Sequence, residues 1–439
     1  MANSYLSRTP SSAGNRKKWT WSAWIKRSTL GHQPIWSAAV DSNNYDEFYF
    51  NTADKIQFST VTSGTQKAIR TSRVFRDPAA WYHIVLSFDT ANSTDTDHAQ
   101  LWINGVRETV FEDTTLLASG ANDVQSNWNN NGVEMRIGYV STNTAAYFDG
   151  YMSHCVFVND AVVAPTSFGE TESTSGIWKF KTPSGITFGT NGFHIKFENS
   201  GNLGLDSSGN SNNFTTNGNL SQSVDTPSIN WATFNPLLTS GSGQVGYERA
   251  NTRAGSSNGI TYLTMMPTAG KWFCEFHFNA AGASQDNGVG FWSVPEAQTI
   301  NFYTGGFKGI VWKYAGNVYV NGTNNVFSSN TFTAGDIISA AMDMDNSTIT
   351  FYKNGSVATN FNAYSFPFTE REAISVGIVD GASAGAQDGI FDFNSGANGT
   401  FGGRKTAGGN SDANGQGNFS MAVPSGYYAL NTKNLNTYG

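Results

Sequence analysis

A chain of 439 residues with a net charge of −7 and 13% charged residues lacks the basic surface that neutralises a phosphate backbone, which argues against a nucleic-acid partner. Charged residues make up roughly a quarter of an average soluble protein; here 47 glycines, 14% aromatics and abundant Asn, Ser and Thr take their place. Such a surface stays soluble through neutral hydrogen-bonding groups, as on secreted, cell-surface and particle-borne proteins and seldom on cytosolic enzymes.

In chain order, two-residue alternation dominates and helical periodicity is nearly missing. Trp19-Thr20-Trp21 places two rings on one strand face and Trp24 on the other. Strand-like runs follow at 47–50, 55–58, 81–88, 101–106, 133–139 and 151–158, separated by Gly, Asn and Ser turns, with only short helices near 77–80 and 164–167. Cys155 and Cys274 lie in apolar strand-like runs of different halves and read as buried free thiols, not a disulfide. The second half repeats a plan of the first. Residues 83–105 run apolar strand, Asp89, polar turn, apolar strand, Asn104-Gly105; residues 335–355 run the same way through Asp343 to Asn354-Gly355. Two all-β sandwiches follow from this, with Trp21 or Trp24 and Trp81 in the first core and Trp272 and Phe351 in the second.

The motifs carry a resemblance. Tyr5-Leu6-Ser7-Arg8-Thr9-Pro10, the Trp19–Arg27 strand, Trp81-Tyr82-His83, Leu101 to Gly105 and Phe148-Asp149-Gly150 together resemble the concanavalin A-like, laminin-G type jelly roll across about residues 3–165. Gly270-Lys271-Trp272, Gly288-Val289-Gly290, Gly335-Asp336 with Asp343, Phe351-Tyr352-Lys353-Asn354-Gly355 and Phe366-Pro367 resemble the SPRY (B30.2-like) sandwich across 245–395. The expected plan is all-β: a jelly roll at 1–165, a bridging segment with strands at 166–235, a SPRY-like sandwich at 236–398 and a Gly-rich C-terminal tail at 399–439. The bridge reads as strands packed on a neighbour or as a link between domains. The tail, with Val423-Pro424-Ser425-Gly426-Tyr427 before Ala429-Leu430, and the domain order resemble tail or fibre-like proteins of marine bacteriophages; a floppy Gly-rich terminus is the plainer alternative.

Catalysis finds no constellation. Glycosidases use two carboxylates about 5–10 Å apart, and no alternating acid pair lies on a predicted strand; Asp46-Glu47 and Glu370-Arg371-Glu372 sit at turns. No nucleophile elbow occurs, and the six histidines are scattered. For metal, Asp206, Asn210 and Asn212, and the loop from Asp41 to Asp46, offer oxygens for a structural Ca²⁺, against the plainer reading of Asx turns. Otherwise no cofactor is expected. A sugar site needs an aromatic ring for the apolar face and Asn or main-chain groups for the hydroxyls. The candidates are Trp128, Asn129 and Asn130 in an Asn-rich stretch, Tyr147, and in the second half Trp292 and Tyr303. Core or interface packing is the alternative fate of each ring.

No run approaches the ~18 apolar residues of a membrane span, and the first residues lack the apolar core of a signal peptide. With the phage resemblance, these lead to the expectation of a non-enzymatic virion protein, made in a host cytoplasm and released by lysis, that acts as a receptor-binding appendage for host-surface glycans. A capsid decoration or adaptor protein binding only other virion proteins is the alternative, and a secreted polysaccharide hydrolase the third. A homo-oligomer is expected, with a trimer favoured, and neither nucleic acid nor membrane insertion.

Overall fold

Alternation along the strand Lys18–Arg27 drives Trp19, Trp21, Ala23 and Ile25 into one apolar cluster and turns Trp24 to the opposite face. The same period sorts most long strands among the described residues, the strand Gly150–Asn159 being shifted in phase by a bulge between Ser153 and Val156. The computed structural model describes residues 3–140, 142, 146–241, 245–256, 259–280, 287–294, 302, 307–367, 373–380 and 389–439. It divides into two units, Met1–Gln222 and Ser223–Gly439.

In the first unit an eight-stranded antiparallel sheet runs in the order Phe111–Asp113, Thr65–Thr71, Ile56–Thr62, Asn44–Phe50, Gln33–Asp41, Met135–Ile137, Tyr5–Arg8, Thr215–Asn217. A six-stranded sheet runs Phe193–Ile195, Gly150–Asn159, Lys18–Arg27, Tyr82–Asp89, Ala99–Ile103, Val106–Arg107. Their inner faces share one core, in which Trp19 stacks on Phe88 at 4.9 Å and meets Phe58 edge-on at 5.8 Å. Trp21 belongs to this core. Trp81 does not: it is buried on the opposite side of its strand run, 6.2 Å from Tyr151, because it keeps phase with the outward His83 and Val85.

The stretch expected as a bridge is divided between the units. Residues up to 222 belong to the first one, since Phe193 and Ile195 add a strand to the six-stranded sheet and, with Phe214, enter its core. The hairpin Gly169–Thr171 with Trp178–Phe180 belongs to this unit as well, its Trp178 indole bonded to His83. The jelly roll is therefore closed by strands beyond residue 165, not completed before it.

The second unit pairs a seven-stranded sheet, which includes Gly259–Leu263, Ile374–Asp380, Gly288–Ser293 and Gly309–Lys313, with a nine-stranded one built around Ile390–Asn394, Lys271–Ala280, Ile337–Asp343 and Thr348–Lys353. Trp272, Phe276, Phe291, Trp312 and Phe351 fill the core between them. The C-terminal segment is folded onto this unit. Tyr428–Ala429 pairs in parallel with Trp272 and Phe273, Phe419 packs edge-on to Phe273 at 5.2 Å, and the helix Thr432–Tyr438 is capped by the Asn431 side chain, which accepts from Asn434 N at 2.9 Å. No helix of the described residues is long and apolar enough to cross a membrane.

Candidate functional site

The Asn-rich loop predicted to face outward is folded inward, and a buried acid explains why. Asp46 lies on the core side of its strand and is fully buried, so its carboxylate must find donors. It takes the Trp128 main-chain N–H and the Ser126 hydroxyl, each at 2.6 Å, and the Asn127 amide at 3.3 Å. Trp128 is thereby driven into the core, 4.3 Å from the Trp36 ring centroid. Asn129, with φ +69°, is buried too and joins Asn159 at 2.6 Å and Asn191 at 2.7 Å. Neither Trp128 nor Asn129 is a ligand residue, contrary to the sequence expectation; Asn130 is half-buried and its carbonyl closes a turn to Val133.

Trp292 is likewise corrected. It is fully buried, edge-on to Tyr262 at 6.3 Å. Tyr303 lies outside the described residues.

Two of the calcium candidates, Asp206 and Asn212, already have their side-chain oxygens in hydrogen bonds. The Asp206 carboxylate accepts from His194 N, Ser208 N and Oγ, and Asn212 N, each at 2.8 Å. The amides of Asn210 and Asn212 donate to the carbonyls of Gly189, Thr190 and Gly192, and the Asn212 oxygen accepts from Arg8. This is a loop locked by Asx bonds with the Arg8 cation beside it, the plainer of the two expected arrangements. In the first loop, Asp41 accepts from Asn43 and Asn44 while Asp46 points into the core. Among the described residues no group of three His, Cys, Asp or Glu side chains could hold a metal.

One Ser–His pair invites a catalytic reading and its hydrogen bonds refuse it. Ser22 Oγ lies 2.9 Å from His83 Nε2 while His83 Nδ1 lies 3.0 Å from the Trp178 indole nitrogen. An indole N–H only donates, so Nδ1 is the acceptor and the proton of the neutral ring sits on Nε2, donated to the serine. Such a histidine cannot take the serine's proton. Burial holds its pKa down to about 3. Cys155 and Cys274 are buried thiols whose pKa burial pushes up, the setting of inert cysteines.

Of the predicted sugar residues, Tyr147 does join a surface cluster. The short strands Tyr139–Val140 and Ala146–Tyr147 pair directly, and the two tyrosine rings stack at 4.5 Å. Tyr5 lies 4.7 Å from Tyr139 and 6.2 Å from Tyr147. All three residues are half-buried, so the cluster lies at the surface without being fully open to it. The Arg136 guanidinium sits 5.6 Å from the Tyr139 centroid.

From this cluster a polar strip crosses the outer face of the eight-stranded sheet. Register places Arg136 beside Ser37, Ser37 beside Glu47 and Glu47 beside Ser59. Ser37 donates to the Tyr139 carbonyl at 2.7 Å, and Thr142 donates to Glu47. Burial, reinforced by Asp46 behind it, raises the Glu47 pKa. Tyr49, two residues on, meets His32 edge-on at 5.1 Å, and burial with the nearby Glu47 pushes its pKa up to about 12. Tyr5, Tyr139, Glu47 and Tyr49 were not among the predicted site residues. Their signal was phase: each alternates with a core residue, Tyr5 with Leu6 and Tyr49 with Phe48 and Phe50.

With the geometry in place, comparisons with known proteins bear on the fold. No curated protein matches the chain. Among solved structures, the SPRY domain of human HERC1 is 19% identical, covering 36% of this chain and 96% of its own, with a TM-score of 0.31. Domain 4 of AbnA, an extracellular GH43 arabinanase from Geobacillus stearothermophilus in complex with arabinotriose, is 16% identical over 35% of this chain and 65% of its own, with a TM-score of 0.27. Domains LG4-5 of the mouse laminin alpha1 chain are 9% identical over 88% of this chain and 85% of their own, with a TM-score of 0.27. Residues 2–166 match the laminin-G family model described as the concanavalin A-like lectin/glucanases superfamily. The first unit is thus built on a concanavalin A-like jelly roll.

Proposed function

We propose that the chain is a non-enzymatic attachment protein of a tailed-phage particle, with the tyrosine face of its first unit as a glycan site. The observation that carries this reading is the half-buried cluster of Tyr5, Tyr139 and Tyr147 at the end of a polar strip. A sugar offers an apolar face to such rings and hydroxyls to the groups beside them, so recognition needs little charge. In this reading the acid of the strip binds and does not cleave: Glu47 is flanked across the strands by Ser37 and Ser59, and the adjoining Asp46 is buried on the core side.

The particle assignment rests on the charge-poor composition and on the resemblance of the domain order and C-terminal motif to phage tail proteins. In that role the protein is assembled in the host cytoplasm, touches other virion proteins and a host-surface glycan, and works as a homo-oligomer, a trimer by preference, because weak single sites become useful through avidity. The second unit serves as a SPRY-like sandwich. The alternative, an adaptor or decoration protein, draws on a different observation: Val106, Val110 and Ile177 are each about two-thirds exposed, as a protein-binding surface would be.

Tyr147→Ala and Tyr139→Ala, measured on a glycan panel and for adsorption of particles, test the reading. Binding should fall with the fold intact. Unchanged binding and adsorption would overturn it, as would time-dependent release of reducing ends from a polysaccharide.

A further inference from the structure

The strip beside the tyrosines carries one acid that no base answers. Arg136 is held by Glu134 through its Nε and a terminal nitrogen, both at 2.6 Å, and Arg70 lies 3.3 Å from Glu112. Glu47 sits between these pairs. Its surroundings supply the Thr142 hydroxyl to one carboxylate oxygen and the like charge of Asp46 from behind, and no cation among the described residues. The neighbouring polar groups are already engaged: Ser37 with the Tyr139 carbonyl, Ser59 with the Gln57 amide at 2.9 Å. Glu47 is half-buried, so its remaining oxygen still faces the surface.

Resting on the reading of this face as a glycan site, we propose that Glu47 sets its specificity and that the ligand is a neutral, hydroxyl-rich glycan, with uronic and sulfated glycans excluded. An ionised carboxylate with an open oxygen accepts hydroxyl hydrogens in short, charge-assisted bonds, which are the strong class. An anion delivered to the same spot meets the Glu47 carboxylate, in a half-buried setting where water screens poorly, and juxtaposed like charges are a strong means of rejecting the wrong partner. The paired arginines do not reverse this, because each already holds its own carboxylate.

The test compares matched ligands on the full chain: immobilised neutral hexose oligomers, and the same oligomers oxidised at the primary hydroxyl to uronates. Wild type should bind the neutral form at least about tenfold more tightly, the low end for a hydrogen bond to a charged group. Glu47→Gln should weaken neutral binding by about tenfold and bring the two forms close to parity. Thr142→Ala, which frees a carboxylate oxygen without altering charge, should keep the discrimination, and so controls for any unfolding caused by Glu47→Gln. Equal binding of both forms by wild type, or discrimination surviving in folded Glu47→Gln, overturns the proposal. Tyr147→Ala separates the two levels: loss of binding there, with Glu47→Gln inert, overturns the specificity and leaves the site standing. Intact binding in Tyr147→Ala overturns the site itself, and a wild type that binds neither form overturns both.

Discussion

The carboxylate of Asp46 holds the main-chain N–H of Trp128 at 2.6 Å, deep beneath the eight-stranded sheet. This bond decides the fate of the whole Asn-rich loop. A buried carboxylate without donors is costly, and the chain supplies three from residues 126–128, so the loop is pulled under the sheet and its tryptophan becomes core.

Trp128→Ala should therefore act on stability. Emptying a site in contact with Trp36 and Phe157 should cost about 3–5 kcal/mol. Glycan binding per folded molecule should be unchanged. Thermal unfolding run beside a binding assay checks this, and lost binding at full stability would return Trp128 to the surface.

Acid should weaken the first unit, and the sign follows from three histidines. Burial holds His83 at about 3, and burial with neighbouring charge holds His154 and His194 at about 4. The unfolded chain binds protons near pH 6.5 while the folded chain does not. Stability is thus complete above about pH 6.5 and falls as pH drops toward the folded values, by about 1.4 kcal/mol per pH unit for each histidine. His83→Phe should reduce the slope of unfolding free energy against pH between 6 and 4 by about one proton. An unchanged slope would mean that His83 is already charged in the fold.

Much of the fold was legible because strand phase is a strong signal. Trp19 and Trp21 facing one way and Trp24 the other, both hairpins, and Trp272 in the second core were all readable from period two alone. The site was less so. Whether a ring lies inside or outside depends on loops whose direction is set by distant partners, as Asp46 sets Trp128 across 82 residues of chain. Tyr147 was found through its loop and Tyr139 faces it across a short local hairpin, but Tyr5 joins them only once strands far apart in sequence are side by side. The strands after residue 165 were expected either as packed on a neighbour or as a link; the first holds, and which sheet they join was not readable because each is three residues long.

The C-terminal segment should resist removal, since Glu275 ties it down. This buried carboxylate accepts the main-chain N–H groups of Ser420 at 3.1 Å and Met421 at 2.8 Å. Trypsin should cut slowly at Arg404, Lys405 and Lys433 in the native chain. Glu275→Ala takes the acceptor from two part-buried main-chain donors and from the buried Asn394 amide, should cost about 2–3 kcal/mol and should open those sites. Burial raises the Glu275 pKa to about 7, so its contribution is complete below pH 4.5 and is lost as pH rises through 7. Digestion in the wild type should accordingly quicken as pH rises from about 5 to about 7 and level off above that. A digestion rate indifferent to both the substitution and pH would contradict this role.

The twin Asn-Gly turns supply the last prediction, because they repeat atom for atom. Asn104 N donates to the His83 carbonyl at 2.9 Å and its side-chain oxygen accepts the His83 N–H at 2.8 Å; Asn354 does both with Ile337, each at 2.8 Å. Both asparagines are left-handed, with φ of 50° and 49°, and each is followed by a glycine at φ 77° or 83°. Alanine at either position loses the acceptor, leaving a strand N–H unpaired at about 1–3 kcal/mol, and adds about 1–2 kcal/mol for the left-handed backbone. Glycine loses the acceptor alone. Hydrogen exchange should show Asn104→Ala loosening strands Tyr82–Asp89 and Ala99–Ile103, and Asn354→Ala loosening Ile337–Asp343 and Thr348–Lys353, with Asn→Gly milder in each case. Equal costs for Ala and Gly would show that the left-handed backbone carries no penalty here, and no cost for either would show that water replaces the lost side-chain bond.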